Sequence, residues 1–383
     1  MEELVKYYYN LGLHHNEILN CLQLNDGITL SLRHLRRILN RLKLFRKRNY
    51  SNVLSLVRFI ETQISTHGKL HGYRWMHLKC LQNGFIVTQD TVRQLLTILD
   101  PVGVDTRQRR RLRRRQYYNK GPNYIWHTDC YDKLKPFGIC ITGCIDGYSR
   151  YIVWLQAGTN TNNPNVIAYH FIQATLRFSG CPQTLRADMG TENSTIERIQ
   201  NDLKNKGTHS LSHLPSFLYG TSTTNQRIES WWSVLRKHFA QFWMNLFHGL
   251  KDGGLFSGSF IDKALVQFCF LKIIQAELNT LITEWNMHKI RKCRNNISPS
   301  GRPFVMFHTP ELYDTRDYLH SVSRADIELH NSAATMPAIN IDHDVYNLAI
   351  IIMQEEGLTT PTTPNQALDL YLHLQQTFSH IFH

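Results

Sequence analysis

With 383 residues, 42% of them hydrophobic, the chain is long enough for two or three domains and for a core that needs no disulfide or metal staple. Its formal charge of +13 is unevenly spread: residues 1–120 hold 22 Lys and Arg against 8 Asp and Glu, and the remainder is balanced to within one charge. That split reads as a basic nucleic-acid-binding arm on a near-neutral globular body; no apolar run approaches the roughly 18–20 residues of a membrane span, so no membrane partner is expected.

The opening Met1-Glu2-Glu3 is acidic with no apolar stretch behind it, so a secretory leader is not expected. Eight cysteines are scattered without a Cys-x-x-Cys pair, which reads as buried reduced thiols in an intracellular protein.

The first 105 residues read as two helical units, 1–48 and 49–105. In the first, amphipathic runs over Glu2–Leu11 and His15–Leu24 precede a break at Asn25-Asp26-Gly27. Ser31 then caps a helix in which Leu32, Leu35, Leu39 and Leu42 recur at helical spacing. Arg33, Arg36, Arg37, Arg41 and Lys43 are left on its other faces. The second unit repeats the plan with helices over Val53–Ser65 and His71–Gln82, a turn at Asn83-Gly84, and a third helix capped by Thr88 that carries Val92, Arg93, Leu95, Leu96 and Leu99. Three short helices with a polar turn before the last fit a helix-turn-helix, and fit equally an ordinary bundle with solvated basic faces. The charge excess favours DNA, with Arg33, Arg36, Arg37, Arg41 and Arg93 as contacts.

Asp100-Pro101 closes the second unit and a linker over 106–121 follows. It holds Arg107, Arg109, Arg110, Arg111, Arg113, Arg114 and Arg115, seven arginines in nine positions. Such density repels itself and is stabilised by phosphate, which makes binding strongly salt-dependent. The same run fits a nuclear-import signal, so a nuclear location is expected. Tyr117 and Tyr118 beside it have the chemistry to stack on bases, although packing against the next domain is the simpler expectation.

From residue 122 to about 310 the pattern alternates. Tyr124–Asp129, Ile139–Asp146 and Tyr151–Gln156 read as successive strands, Asn165–Phe178 as a helix, Thr184–Ala187 as a strand and Thr191–Asn205 as a helix. After a polar stretch over 207–220, helices are expected from about Thr224 to Phe247 and over Phe268–Trp285. This is an α/β arrangement with helices on a mixed sheet. Residues 311–383 form a C-terminal extension, with a loop at Pro361-Thr362-Thr363-Pro364 before a last helix and no readable chemistry.

Three acids stand out by position. Asp129 ends the first strand, Asp188 follows Leu185-Arg186-Ala187, and Glu229 lies early in the long helix. Acids at two strand ends and on one helix can converge on one sheet edge, where hard divalent cations prefer such oxygen donors. Two ions about 3.5–4 Å apart stabilise the attacking and leaving oxygens of a phosphodiester displacement. Taken singly, each acid reads better as a turn or cap residue.

As an ordered set, the blocks Trp126-His127-Thr128-Asp129, Ile145-Asp146-Gly147-Tyr148-Ser149-Arg150, Asp188-Met189-Gly190-Thr191-Glu192-Asn193 and Asn225-Gln226-Arg227-Ile228-Glu229-Ser230 resemble the catalytic core of retroviral-type integrases and DDE transposases. The resemblance extends through Trp285-Asn286-Met287-His288 and Ser298-Pro299-Ser300-Gly301-Arg302-Pro303. It is closest to the integrase core domain proteins of animal genomes, thought to descend from mobile elements. The segment Leu70-His71-Gly72-Tyr73-Arg74-Trp75-Met76-His77 is similar to the helix-turn-helix before the core in bacterial insertion-sequence transposases.

The resemblance implies an RNase H-like core preceded by helix-turn-helix units, with Asp129, Asp188 and Glu229 as a catalytic triad holding two Mg²⁺ or Mn²⁺ ions. It implies double-stranded DNA as substrate, self-association, and no small-molecule substrate. Asp146 would be structural, fixing the Ser149-Arg150 turn, and Glu192 a lesser metal candidate. Arg236, seven residues after Glu229, and Lys237 would contact phosphate, whereas Trp231 and Trp232 would be packing residues. The chain departs from the pattern in two respects: about 40 residues separate Asp188 from Glu229, and the His and Cys zinc module is missing. The expected activity is metal-dependent DNA cleavage and strand transfer. The alternatives are a domesticated, non-catalytic DNA-binding regulator on the same scaffold and a nuclease that hydrolyses without joining.

Overall fold

The structure, a computed structural model, describes residues 1–66, 68, 71–108, 117–160, 163–206, 215–220, 225–292, 298–331 and 341–382. Most of the arginine run, Arg109, Arg110, Arg111, Arg113, Arg114 and Arg115, lies outside the described residues, as do Cys293 and the side chain of Arg107.

The N-terminal part is helical. In α1 (Glu2–Asn10), α2 (His15–Asp26) and α3 (Leu32–Arg41), Val5, Tyr8, Ile18, Leu22, Leu35, Ile38 and Leu39 build a small core. Gly27, at φ 67°, ends α2 in the left-handed conformation that lacks a Cβ penalty. The Ser31 hydroxyl accepts from the His34 N–H at 3.2 Å, capping α3 as its position predicts. This cluster also takes in Met287 and Val305, so the unit is packed onto the body of the protein.

In α4 (Val53–Ile64), α5 (Tyr73–Gln82) and α6 (Gln89–Leu99), the residues Leu56, Ile60, Met76, Cys80, Val92 and Leu96 form a second cluster. Helical structure does not stop at Asp100-Pro101. α7 (Pro101–Gln108) begins at the proline, and the Asp100 carboxylate accepts from the Gly103 N–H at 3.1 Å. Proline in a first helical turn forgoes only an N–H that has no intrahelical partner. α7 therefore reaches into the segment read as linker.

The core is a mixed sheet built from β1 (Ile125–Tyr131), β2 (Cys140–Asp146) and β3 (Ile152–Gly158), then α8 (Pro164–Phe178), the short β4 (Gly180–Cys181), β5 (Thr184–Asp188), α9 (Ser194–Lys206) and β6 (Phe217–Gly220). The five-stranded order is β3-β2-β1-β5-β6, antiparallel from β3 to β1 and parallel from β1 to β6. The edge strand β6 falls in the stretch over 207–220 read only as polar. One face buries Trp126, Leu185 and Ala187 against Phe171 of α8 and Ile199 of α9. The other buries Tyr131, Ile141 and Leu155 against the helices that follow. This is the RNase H-like arrangement.

Those helices are α10 (Gln226–Leu235), a π turn over Arg236–Ala240, α11 (Gln241–Asp252) and α12 (Phe260–Met287). After α13 (Pro303–His308), β7 (His320–Ser321) pairs with β4, and α14 (Arg324–Glu328), α15 (His343–Glu355) and α16 (Pro364–Phe382) complete the chain. α12 corrects the expectation that no segment has the length of a membrane span: by length and composition it qualifies. It serves instead as the central core helix, with Leu265, Phe270, Ile274 and Leu278 fully buried. Val345 and Ala349 of α15 and Tyr371 and Leu374 of α16 join the same cluster. A helix covered on several sides is apolar all round without a membrane. Of the described cysteines, Cys130 is half-buried; Cys21, Cys80, Cys140, Cys144, Cys181 and Cys269 are buried, and all are unbridged.

Candidate active site

Side chains alternate across a strand, so parity decides which face an acid joins. In β1, Trp126 belongs to the α8 face and Tyr131 to the α10 face, which puts Asp129 on the side of α10. In β5, Leu185 and Ala187 belong to the α8 face, which puts Asp188 beside Asp129. The parallel register pairs Trp126 with Leu185 and His127 with Arg186; continued two residues, it sets Asp129 level with Asp188. Glu229, in α10, is near enough for its charge to act on Asp129 and for the charge of Asp188 to act on it.

Each of the three carboxyls is raised by burial and by a neighbouring carboxylate. Burial pushes Asp129 up to about 7, and the charges of Asp188 and Glu229 push the same way. Glu229 is raised by burial and then by Asp188, with Lys133 acting against them. Asp188 is raised by burial and by Glu192, the lesser candidate, while a hydrogen bond from Asn225 opposes the shift.

Hydrogen bonds hold the cluster. The Trp232 indole Nε1 donates to Asp129 Oδ2 at 2.7 Å. Gly143, opposite Asp129 in the register, admits that ring: a Cβ there would lie 2.7 Å from Trp232 Cη2. Asn225 Nδ2 donates to the Thr128 carbonyl at 3.0 Å and to Asp188 Oδ1 at 3.4 Å, and its Oδ1 faces His127 Nδ1 at 2.8 Å. Burial pushes His127 down to about 3.

Asp146 behaves differently. It is fully buried, at about 6 through burial, and accepts from the N–H groups of Asn123, Tyr148 and Ser149 and from the Ser149 hydroxyl. With its acceptors filled it holds the turn that ends at Arg150.

The basic candidates are dispersed. Arg33, Arg36, Arg37 and Arg41 are exposed on α3, with Arg41 paired to Glu2. Arg93 is exposed on α6 and pairs with Asp90 at 2.6 Å. Arg236 and Lys237 are exposed in the π turn, and Arg236 Nε donates to Gln241 at 3.4 Å. Tyr117 is packed, with the Arg227 guanidinium 4.1 Å over its ring, whereas Tyr118 is 69% exposed. A cleft of about 290 Å³ is lined by Tyr117, Tyr118, Ile125, His127, Arg186 and Gln226.

Sequence reasoning missed Asn225, His127, Lys133 and the hydrogen bond of Trp232, which it took for packing alone. One signal was available for Trp232: a glycine inside a strand marks close approach, and Gly143 is such a glycine.

Among the described residues, no three His, Cys, Asp or Glu side chains stand close enough to enclose an ion as placed. The donor chemistry nevertheless fits a divalent cation. The set is all carboxylate, and like charges raise the pKa of each member, a repulsion that a cation relieves.

A family model described as integrase core domain matches residues 116–308, half of the chain. The matched segment contains the sheet, all three acids and α12. No curated protein matches the chain.

Proposed function

Because this chain belongs to the integrase core domain family, we propose that it is a metal-dependent polynucleotidyl transferase that cuts and joins strands of double-stranded DNA. Asp129, Asp188 and Glu229 would hold two Mg²⁺ or Mn²⁺ ions. Bound ions of this kind supply Lewis-acid stabilisation of the charge that develops around phosphorus. The chain's own part is to keep three carboxylates together at one sheet end in the face of their repulsion, and that juxtaposition carries the reading.

The remaining assignments follow from charge. Arg33, Arg36, Arg37, Arg41, Arg93 and the run from Arg107 to Arg115 would grip DNA, the helical units acting as helix-turn-helix modules. Arg236 and Lys237 would touch phosphate near the acids. Self-association would bring two DNA ends together, and the arginine run would direct the protein to the nucleus.

The test is a labelled duplex incubated with purified protein and Mn²⁺. Wild type should cleave and join it, and Asp188→Asn should lose both activities by about a hundred- to a thousandfold while still binding DNA. Equal activity in the two proteins would end the enzymatic reading. One observation favours the second reading, a domesticated protein retained as a DNA-binding scaffold: the Trp232 indole occupies one oxygen of Asp129. Salt-sensitive binding without strand chemistry in wild type would select it.

A further inference from the structure

Asn225 stands at the N-cap of α10, yet its side chain makes no bond to the first-turn N–H groups. Such a cap bond ordinarily contributes about 1 kcal/mol. Asn225 is instead fully buried and turned into the site. Its Nδ2 donates to the Thr128 carbonyl at 3.0 Å, and a carbonyl oxygen only accepts, so the orientation of the amide is fixed. Oδ1 therefore faces His127 Nδ1 at 2.8 Å, and that nitrogen must carry a proton.

With Nδ1 the protonated nitrogen of this buried ring, Nε2 accepts from the Tyr117 hydroxyl at 2.7 Å. Asn119 Nδ2 donates to that hydroxyl at 3.4 Å, and Arg227 covers the ring. Each donor and acceptor in this run thus follows from one carbonyl. At its far end, the second Nδ2 hydrogen meets Asp188 Oδ1 at 3.4 Å, and Asn193 holds the Asp188 carbonyl at 3.0 Å.

We infer that Tyr117, His127 and Asn225 form a hydrogen-bonded relay that fixes the rotation of the Asp188 carboxylate for cation binding, with Asn225 as the positioning residue in contact with it. The inference rests on the proposed role of Asp188 as a metal ligand. If the Tyr117 hydroxyl is lost, Nε2 loses its partner and the imidazole is gripped only through Nδ1, so the ring that backs the Asn225 amide can tilt and the amide's hold on Asp188 Oδ1 loosens.

The test measures Mn²⁺ binding to the full-length protein without DNA, from the paramagnetic resonance signal of free Mn²⁺, with unfolding midpoints recorded alongside. Partners of metal ligands typically contribute about 10–100-fold to metal affinity. Asn225→Ala should weaken Mn²⁺ binding within that range. Tyr117→Phe, which removes one oxygen and leaves the packing, should weaken it about tenfold at an unchanged midpoint. If Asn225→Ala does not fold, Tyr117→Phe carries the test alone. Wild-type affinity in folded Tyr117→Phe overturns the relay, provided that Asp188→Asn has lost affinity. Wild-type affinity in Asp188→Asn instead overturns the metal-ligand reading on which the relay rests.

Discussion

The junction between the helical N-terminal part and the core buries charge in pairs, whereas the end of the sheet buries charge of one sign. At the junction, Lys79 Nζ lies 3.2 Å from Glu284 Oε1, and the Trp75 indole donates to Oε2 at 2.6 Å. Nearby, Arg302 Nε meets Glu17 at 2.8 Å, and another of its nitrogens donates to the Gly12 carbonyl at 2.8 Å. At the sheet end, burial and then neighbouring carboxylates raise the pKa of Asp129, Asp188 and Glu229, and an indole and an amide steady Asp129 and Asp188. Pairing fastens α2 and α5 to the core. Gathering like charges works against the fold, and such gatherings concentrate where a site requires them.

The sharpest way to break this contrast is to remove a charge from each place. Glu284→Ala leaves the ammonium of Lys79 buried without its counter-ion, and the expected loss is about 3–5 kcal/mol in denaturant unfolding. A loss below about 1 kcal/mol would make the junction an ordinary surface pair.

Asp129→Asn should have the opposite sign. The folded Asp129 carboxyl sits at about 7 against an ordinary 3.8, so the folded state holds a proton that the unfolded state releases. Its contribution is therefore fully present below about pH 4 and is lost as pH rises through about 7. The asparagine variant should flatten that dependence and raise the midpoint at neutral pH by about 2–4 °C, roughly 1 kcal/mol in a large domain. A lower midpoint at every pH would mean that the carboxylate is a structural acceptor like Asp146.

Deleting Arg107–Arg115 sharpens the comparison by removing a run of the opposite charge. DNA affinity should fall, and its log–log dependence on salt should flatten by about 0.9 for each phosphate that the shortened chain leaves unneutralised. Stability should barely change. An unaltered slope would remove the run from the DNA interface.

Legibility in the sequence followed the range of the forces involved. Ser31 and Thr88 announce their helices because capping is local, and both caps form. β2 and β3 are legible because a strand buried on both faces reads as a largely apolar run. α7 was hidden because Asp-Pro reads as a stop, although proline suits a first turn. β6 was hidden because Phe217–Gly220 is a short edge strand with no alternation to display. The three acids were visible through their motif blocks. The partners of Asp188 and Asp129 were not, since Asn225 reaches Thr128 across 97 positions and Trp232 reaches Asp129 across 103. No local pattern encodes bonds of that span.

The central claim is that the carboxylates of Asp129, Asp188 and Glu229 share divalent cations. Anomalous diffraction from crystals soaked in Mn²⁺ tests it directly. The account predicts a peak between these three side chains that disappears in Asp188→Asn crystals. Full Mn²⁺ occupancy elsewhere on the chain, with no peak among the three acids, would contradict it.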